Sequence, residues 1–153
     1  MDERITVLYV DDNPKSSRLL ASVLEECGFR IISKNDPAEA LALCSMTVFD
    51  LALLDYEMPV MTGAHLAREI KHLMPDVPVV LISGRTSIPE SELEFVDAHF
   101  GFGTALDDLL WSMRILAPPK VVAREAGAPR HALGFEHRLA DHRENNSRWA
   151  DST

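Results

Sequence analysis

Val7-Leu8-Tyr9-Val10-Asp11-Asp12-Asn13 sets an apolar run directly against two carboxylates, and Asp50-Leu51-Ala52-Leu53-Leu54-Asp55 sets another against one. Short runs with so little polar interruption read as β-strands covered on both faces, the habit of a parallel sheet. Outward from these two, strands are predicted at Ile5–Val10, Arg30–Ser33, Leu51–Leu54 and Val77–Ile82, with a weaker fifth at Ala98–Phe102. Helical spacing fills the intervals. Asn13-Pro14 and Asp36-Pro37 each offer a cap followed by a proline at the first helical position, and Glu39 completes a capping-box spacing after Asp36. Leu19, Leu20, Val23, Leu24 and Cys27 are predicted to line the buried face of the first helix, which Gly28 stops. Ala40, Leu41 and Cys44 supply the stripe of the second; Leu66, Ile70, Leu73 and Met74 mark a third; Leu106, Leu109, Leu110, Met113 and Leu116 mark a last one. The interval Thr86–Val96 has room for only about two helical turns after Pro89. Strands and helices alternating at this pitch give right-handed crossovers and a parallel α/β sheet.

Ligands of such sheets bind at the carboxyl ends of the strands, where Asp11, Asp12 and Asp55 all fall. With the first and third strands adjacent, the three carboxylates converge. Their repulsion would be on the order of 4 kcal/mol per pair at about 4 Å and an effective dielectric near 20, and a divalent cation is what relieves it. Magnesium suits oxygen ligands and leaves positions for phosphate oxygens, while an aspartate carboxylate can attack a phosphoryl group to give an acyl phosphate. An Asp-Asp pair after one strand is commonly only a turn or cap; joined to Asp55, 43 positions beyond Asp12, it is much more specific.

These residues, with Tyr56-Glu57-Met58-Pro59-Val60-Met61-Thr62-Gly63 after Asp55 and with Val79-Val80-Leu81-Ile82-Ser83-Gly84, resemble the response-regulator receiver domain over residues 4 to about 116. The resemblance implies a flavodoxin-like (CheY-like) fold with five parallel strands in the order 2-1-3-4-5 and helices on both faces. It implies that Asp55 is the phosphoacceptor, that Asp11, Asp12 and Asp55 with the backbone carbonyl of Glu57 hold Mg2+, and that Ser83 is the hydroxyl that bonds the phosphoryl oxygen. Met58-Pro59 and Gly63 shape the loop into the third helix, Met58 as a packing residue. The implied partner is a sensor histidine kinase or phosphotransfer protein, and the implied role is that of a phosphoacceptor and not an enzyme, beyond self-catalysed phosphorylation and dephosphorylation.

The pattern departs from the family at the end of the fifth strand, where a lysine is expected and Phe102 stands; no lysine lies between Lys71 and Lys120. Phenylalanine donates nothing to a phosphate. Arg85, two residues past Ser83, either lends a charge or is a solvated loop arginine. His99 takes the place of the family's aromatic switch residue, as a rotameric or pH-sensitive substitute or as a semi-exposed strand-end histidine. The interval from Ser83 to Phe102 is shorter than the family's usual one. The reshaped face of fourth helix, fifth strand and final helix suggests an unusual partner or a homodimer.

Residues 1–117 carry 9 Lys+Arg against 19 Asp+Glu, an acidic body ill suited to displacing counterions from nucleic acid; residues 118–153 carry 6 against 5. A receiver domain over 1–117 and a disordered tail over 118–153 are expected, with a weak amphipathic stretch around Leu133–Leu139 and no DNA-binding output. No apolar run approaches a membrane span, Met1–Val10 lacks the character of a signal peptide, and Cys27 and Cys44 fit no metal spacing and read as core thiols of a reduced, cytoplasmic protein. Three functions compete: a phosphorylatable receiver, a pseudo-receiver binding partners regardless of phosphorylation, and an aspartyl phosphohydrolase. The last generally sets a second aspartate two residues past the nucleophile, where this chain has Glu57.

Overall fold

The computed structural model describes residues 3–118. The expected tail, all but its first residue, and the amphipathic stretch at Leu133–Leu139 lie outside the described residues. Five strands, β1 (Thr6–Val10), β2 (Arg30–Lys34), β3 (Leu51–Asp55), β4 (Val79–Ser83) and β5 (Ala98–Gly101), form one parallel sheet in the order β2-β1-β3-β4-β5, as expected. The helices are α1 (Pro14–Glu26), α2 (Pro37–Cys44), α3 (Gly63–Leu73) and α4 (Leu106–Leu116). β4 begins two residues later than expected because Pro78 has no amide hydrogen to give the ladder; its carbonyl instead accepts from Ala52 N at 3.0 Å.

Strand alternation divides the core into two layers. Leu8, Val10, Ala52, Leu54, Val79 and Leu81 face α2 and α3, packing on Ala40, Leu66, Ala67 and Ile70. Val7, Tyr9, Leu51, Leu53 and Val80 face the other way, onto Leu24 of α1 and Leu109, Leu110 and Met113 of α4. The caps read from the sequence form. Asn13 Oδ1 accepts from the amides of Lys15 and Ser16, and Asp36 Oδ1 from that of Ala38. Gly28, at φ +96°, closes α1 in the left-handed conformation that glycine takes without strain.

Five expectations need correction. Leu19 is 70 % exposed, because α1 seats the expected Leu20, Leu24 and Cys27 on the sheet layer with Ser17 and Ala21 beside them, which leaves Leu19 outside that face. Leu73, at the last turn of α3, is 53 % exposed. The two turns allowed after Pro89 shrink to one 3-10 turn at Glu90–Glu92, there being no apolar stripe to hold a longer helix against the sheet. Cys27 and Cys44 are free and only half-buried, at the margins of the two layers. β5 also stops at Gly101, leaving Phe102 just past the strand.

Candidate phosphoryl and metal site

The acidic residues meet where the sheet order places them. Asp11 and Asp12 follow β1, Asp55 ends β3, and β1 and β3 are neighbours. One carboxylate oxygen from each lies within 4.8 Å of the others. Three oxygen donors at this spacing fit a hard divalent cation.

Asp11 is nearly buried, and both its oxygens have donors. The Tyr9 hydroxyl reaches Oδ2 at 2.8 Å and the amide of Asn13 reaches Oδ1 at 2.9 Å. Burial, then the bond to Asp11 and the charges of Asp11 and Asp55, push the Tyr9 phenol far up, so it remains a donor. Asn35 Nδ2 donates to the Asp11 carbonyl at 2.7 Å, tying the β1 end to the loop after β2. The Asp55 carboxyl is pushed up to about 6. Burial is the main cause; the charges of Asp11, Asp12 and Glu57 add to it, and the Glu57 amide, donating to Oδ1 at 3.2 Å, opposes it. Accumulated negative charge at a half-buried carboxylate is the situation a bound cation relieves.

The loop after Asp55 is held closely. The amide of Gly63 donates to the Tyr56 carbonyl at 2.9 Å, and a side chain at Gly63 would collide with the Asp55 carbonyl and with Leu81 Cδ1. Met58 is buried in the α2–α3 layer, a packing residue as expected. Tyr56 is buried as well, its hydroxyl donating to Glu92 Oε2 at 2.6 Å. That bond is the largest influence raising its phenol, while the Arg85 guanidinium pulls the other way.

Ser83 ends β4 beside Asp55, whose ladder partner is Ile82, and is buried. Its hydroxyl accepts from the Arg85 amide at 2.9 Å, and its carbonyl from the Phe102 amide at 2.9 Å. Arg85 is no freely solvated loop arginine. Its Nε lies 3.5 Å from Glu57 Oε1, and its guanidinium carbon sits 5.6 Å from the centre of the Tyr56 ring. Phe102 is 72 % exposed, its ring so close to Gly84 that a Cβ there would come within 2.8 Å of it. Position 102 therefore lies beside Ser83 and Gly84, at the carboxyl end of β4. His99 is half-buried in β5 opposite Leu81, whose side chain faces the α2–α3 layer. Lys71 is committed elsewhere. It pairs with Asp97 Oδ2 at 2.8 Å, and that oxygen also accepts from the amide of Val79, at the opposite ends of the strands. Tyr9, Tyr56 and Glu92 were not among the expected site residues. The one available signal for Tyr9 was a hydroxyl-bearing side chain two positions before Asp11, on the same face of an otherwise aliphatic strand.

The response regulator receiver domain family model matches residues 7–99. The autoinducer 1 sensor kinase/phosphatase LuxN of Vibrio campbellii is 34 % identical over 92 residues, 60 % of this chain and 11 % of LuxN. The transcriptional regulatory protein ZraR of Klebsiella oxytoca is 33 % identical over 86 residues, 56 % of this chain and 19 % of ZraR. The chain thus spans no more than a fifth of these relatives' lengths. Among solved structures, the response regulator TrrA of Thermotoga maritima, in complex with Mg2+-BeF, is 27 % identical with a TM-score of 0.69, over 73 % of this chain and 98 % of TrrA. A structure of the histidine kinase ThkA in complex with TrrA matches at 29 % identity and a TM-score of 0.66, over 73 % of this chain and 97 % of the matched one. Among the described residues, no helix is long and apolar enough to cross a membrane.

Proposed function

Since the chain belongs to the response regulator receiver domain family, we propose that it accepts a phosphoryl group on Asp55 from the phosphohistidine of a sensor histidine kinase or phosphotransfer protein. The observation that carries this reading is the convergence of Asp11, Asp12 and Asp55 within 4.8 Å, with the Asp55 carboxyl raised by burial and, after that, by its acidic neighbours. The solved complex of TrrA with a histidine kinase supports the choice of donor. Asp11, Asp12, Asp55 and the backbone carbonyl of Glu57 would hold Mg2+, which would neutralise charge on the phosphoryl oxygens.

An Asp55 carboxylate oxygen forms the new bond to phosphorus as the phosphorus–nitrogen bond of the donor breaks. The leaving imidazole nitrogen keeps that electron pair, and the product is an aspartyl phosphate. The Tyr9 hydroxyl and the Asn13 amide hold Asp11 in place throughout. The buried Ser83 hydroxyl turns to donate to a phosphoryl oxygen, and the Tyr56 amide, donating to the Ile82 carbonyl at 2.8 Å, keeps the Asp55 loop close to β4. The chain itself is no enzyme beyond speeding its own phosphorylation and hydrolysis. Output passes through protein contacts in the cytoplasm, including pairing of two copies through the 3-10 turn, β5 and α4; the acidic body disfavours nucleic acid and anionic membrane as partners. Incubation with acetyl phosphate and Mg2+, followed by intact-mass measurement, should reveal a phosphoryl adduct that Asp55→Asn abolishes. A parent protein that never gains this mass defeats the reading.

A second reading, a pseudo-receiver that binds its partner regardless of phosphorylation, is favoured by Phe102 at the lysine position and by the single 3-10 turn after β4. It requires partner affinity to be the same for the parent and for Asp55→Asn in the presence of a phosphodonor.

A further inference from the structure

We infer that Arg85 supplies the cation that binds the phosphoryl group, in place of the lysine that Phe102 displaces; the inference rests on the receiver reading. Arg85 stands next to both groups that would touch the phosphate. Its amide donates to the Ser83 hydroxyl at 2.9 Å, and its Nε lies 3.5 Å from the carboxylate of Glu57, whose amide donates to Asp55 Oδ1 at 3.2 Å. The Glu57–Arg85 pair therefore bridges the loops that carry Asp55 and Ser83.

Three other described cations are held away from the site. Lys71 is bonded to Asp97 at the opposite end of the strands. Lys34 ends β2, with β1 standing between it and Asp55. Arg114 donates to the Cys27 carbonyl at 2.9 Å and lies over Phe29, at the turn after α1.

The present partners of Arg85 are easily exchanged. Both side chains of the ion pair are about half exposed (55 % and 49 %), and such pairs hold weakly in water. A phosphorylated Asp55 carries up to about two negative charges and three phosphoryl acceptor oxygens, against the single charge on Glu57. The planar guanidinium fork matches phosphate oxygens with two parallel hydrogen bonds, which a lysine cannot do. The side chain accordingly leaves Glu57 for the phosphoryl group, pivoting on a backbone that the Ser83 hydroxyl holds. Glu57 thereby stores the cation in the unphosphorylated state. Since Arg85 also lies over Tyr56, whose hydroxyl holds Glu92, the same exchange removes a contact from the tyrosine that holds the 3-10 turn.

Titration of the parent with beryllofluoride, a phosphoryl mimic, in Mg2+ and followed by calorimetry, tests this against Mg2+ binding measured alone. Arg85→Ala should weaken beryllofluoride binding about tenfold or more, the worth of one charge-assisted pair, while leaving Mg2+ affinity and thermal stability unchanged. Arg85→Lys should recover part of the loss. Glu57→Gln, which keeps the backbone carbonyl, should tighten beryllofluoride binding more in the parent than beside Arg85→Ala, where only the loss of the Glu57 charge near Asp55 acts. A parent that binds beryllofluoride as tightly as Arg85→Ala overturns this inference alone. A parent that binds none in Mg2+ overturns the receiver reading together with it.

Discussion

The Tyr9 hydroxyl donates to Asp11 Oδ2 at 2.8 Å, from a ring only 2 % exposed within the layer that α1 and α4 cover. The acidic site is thus braced from inside the apolar core. Replacing a buried donor to a charged acceptor strands part of the acceptor's hydrogen-bonding capacity. Tyr9→Phe should lose about 1–3 kcal/mol of stability in chelator, read as a lower urea midpoint with an unchanged slope. An unchanged midpoint would mean that water replaces the hydroxyl and that the brace contributes nothing.

The Asp55 carboxyl, at about 6 in the fold, lies above its ordinary value near 4. A carboxyl raised on folding contributes stability that is complete below its unfolded value and is lost as pH rises through its folded value. Metal-free protein should therefore lose on the order of 2 kcal/mol between about pH 4 and 6, relative to Asp55→Asn, which has no carboxyl to ionise there. At pH 7.5 the variant should be the more stable of the two in chelator. Adding Mg2+ should reverse that order by stabilising the parent selectively. Parallel urea curves at pH 5 and 7.5 measure the difference, and a gap that does not change with pH would contradict the assignment.

Gly63 lets α3 begin against the backbone of Asp55. A methyl group there would run into the Asp55 carbonyl and Leu81 Cδ1. The first is backbone and cannot swing aside. Gly63→Ala should cost about 2–4 kcal/mol and shift the Asp55 loop, so that phosphorylation by acetyl phosphate falls together with stability. Unfolding and intact-mass measurements on the same sample check both, and a variant as stable as the parent would show that α3 can slide to make room.

Phe102 is exposed at the rim of the site, so a lysine there costs little packing and places an ammonium beside Gly84 and Ser83. Phe102→Lys should change stability by less than about 0.5 kcal/mol and should tighten beryllofluoride binding in Mg2+. Equal or weaker binding would mean that position 102 points past the phosphoryl group.

Much of this arrangement is legible from local pattern. Asn13-Pro14 and Asp36-Pro37 start helices because side-chain oxygens and proline ring geometry act within three residues, and both caps form. That the strand ending at Asp55 lies beside the one leading into Asp11 was legible through the resemblance to the receiver domain, which implies that strand order. Leu19 was less legible. Two adjacent stripes of α1 carry apolar residues, and what selects Leu20 and Leu24 over Leu19 is the seating of the helix on β1 and β2. The 3-10 turn at Glu90–Glu92 was legible only as a shortage of length and apolar spacing.

What the sequence by itself determined is the alternation of strands and helices and the placing of three carboxylates at strand ends, because hydrophobic period and turn chemistry are short-range properties written residue by residue; the strand order that brings the three together was implied by the resemblance to the receiver domain. Only the tertiary structure decided how the charges around that rim are shared. It put Tyr9 beneath Asp11, Arg85 on Glu57 and Tyr56, and Lys71 on Asp97 at the far end of the strands. Such pairings depend on where side chains come to lie once separate elements have packed, and Lys71 meets a partner 26 positions away that neither residue's neighbours announce. A cation's reach is a few ångströms; the path of the folded backbone, and not distance along the chain, determines what falls within it.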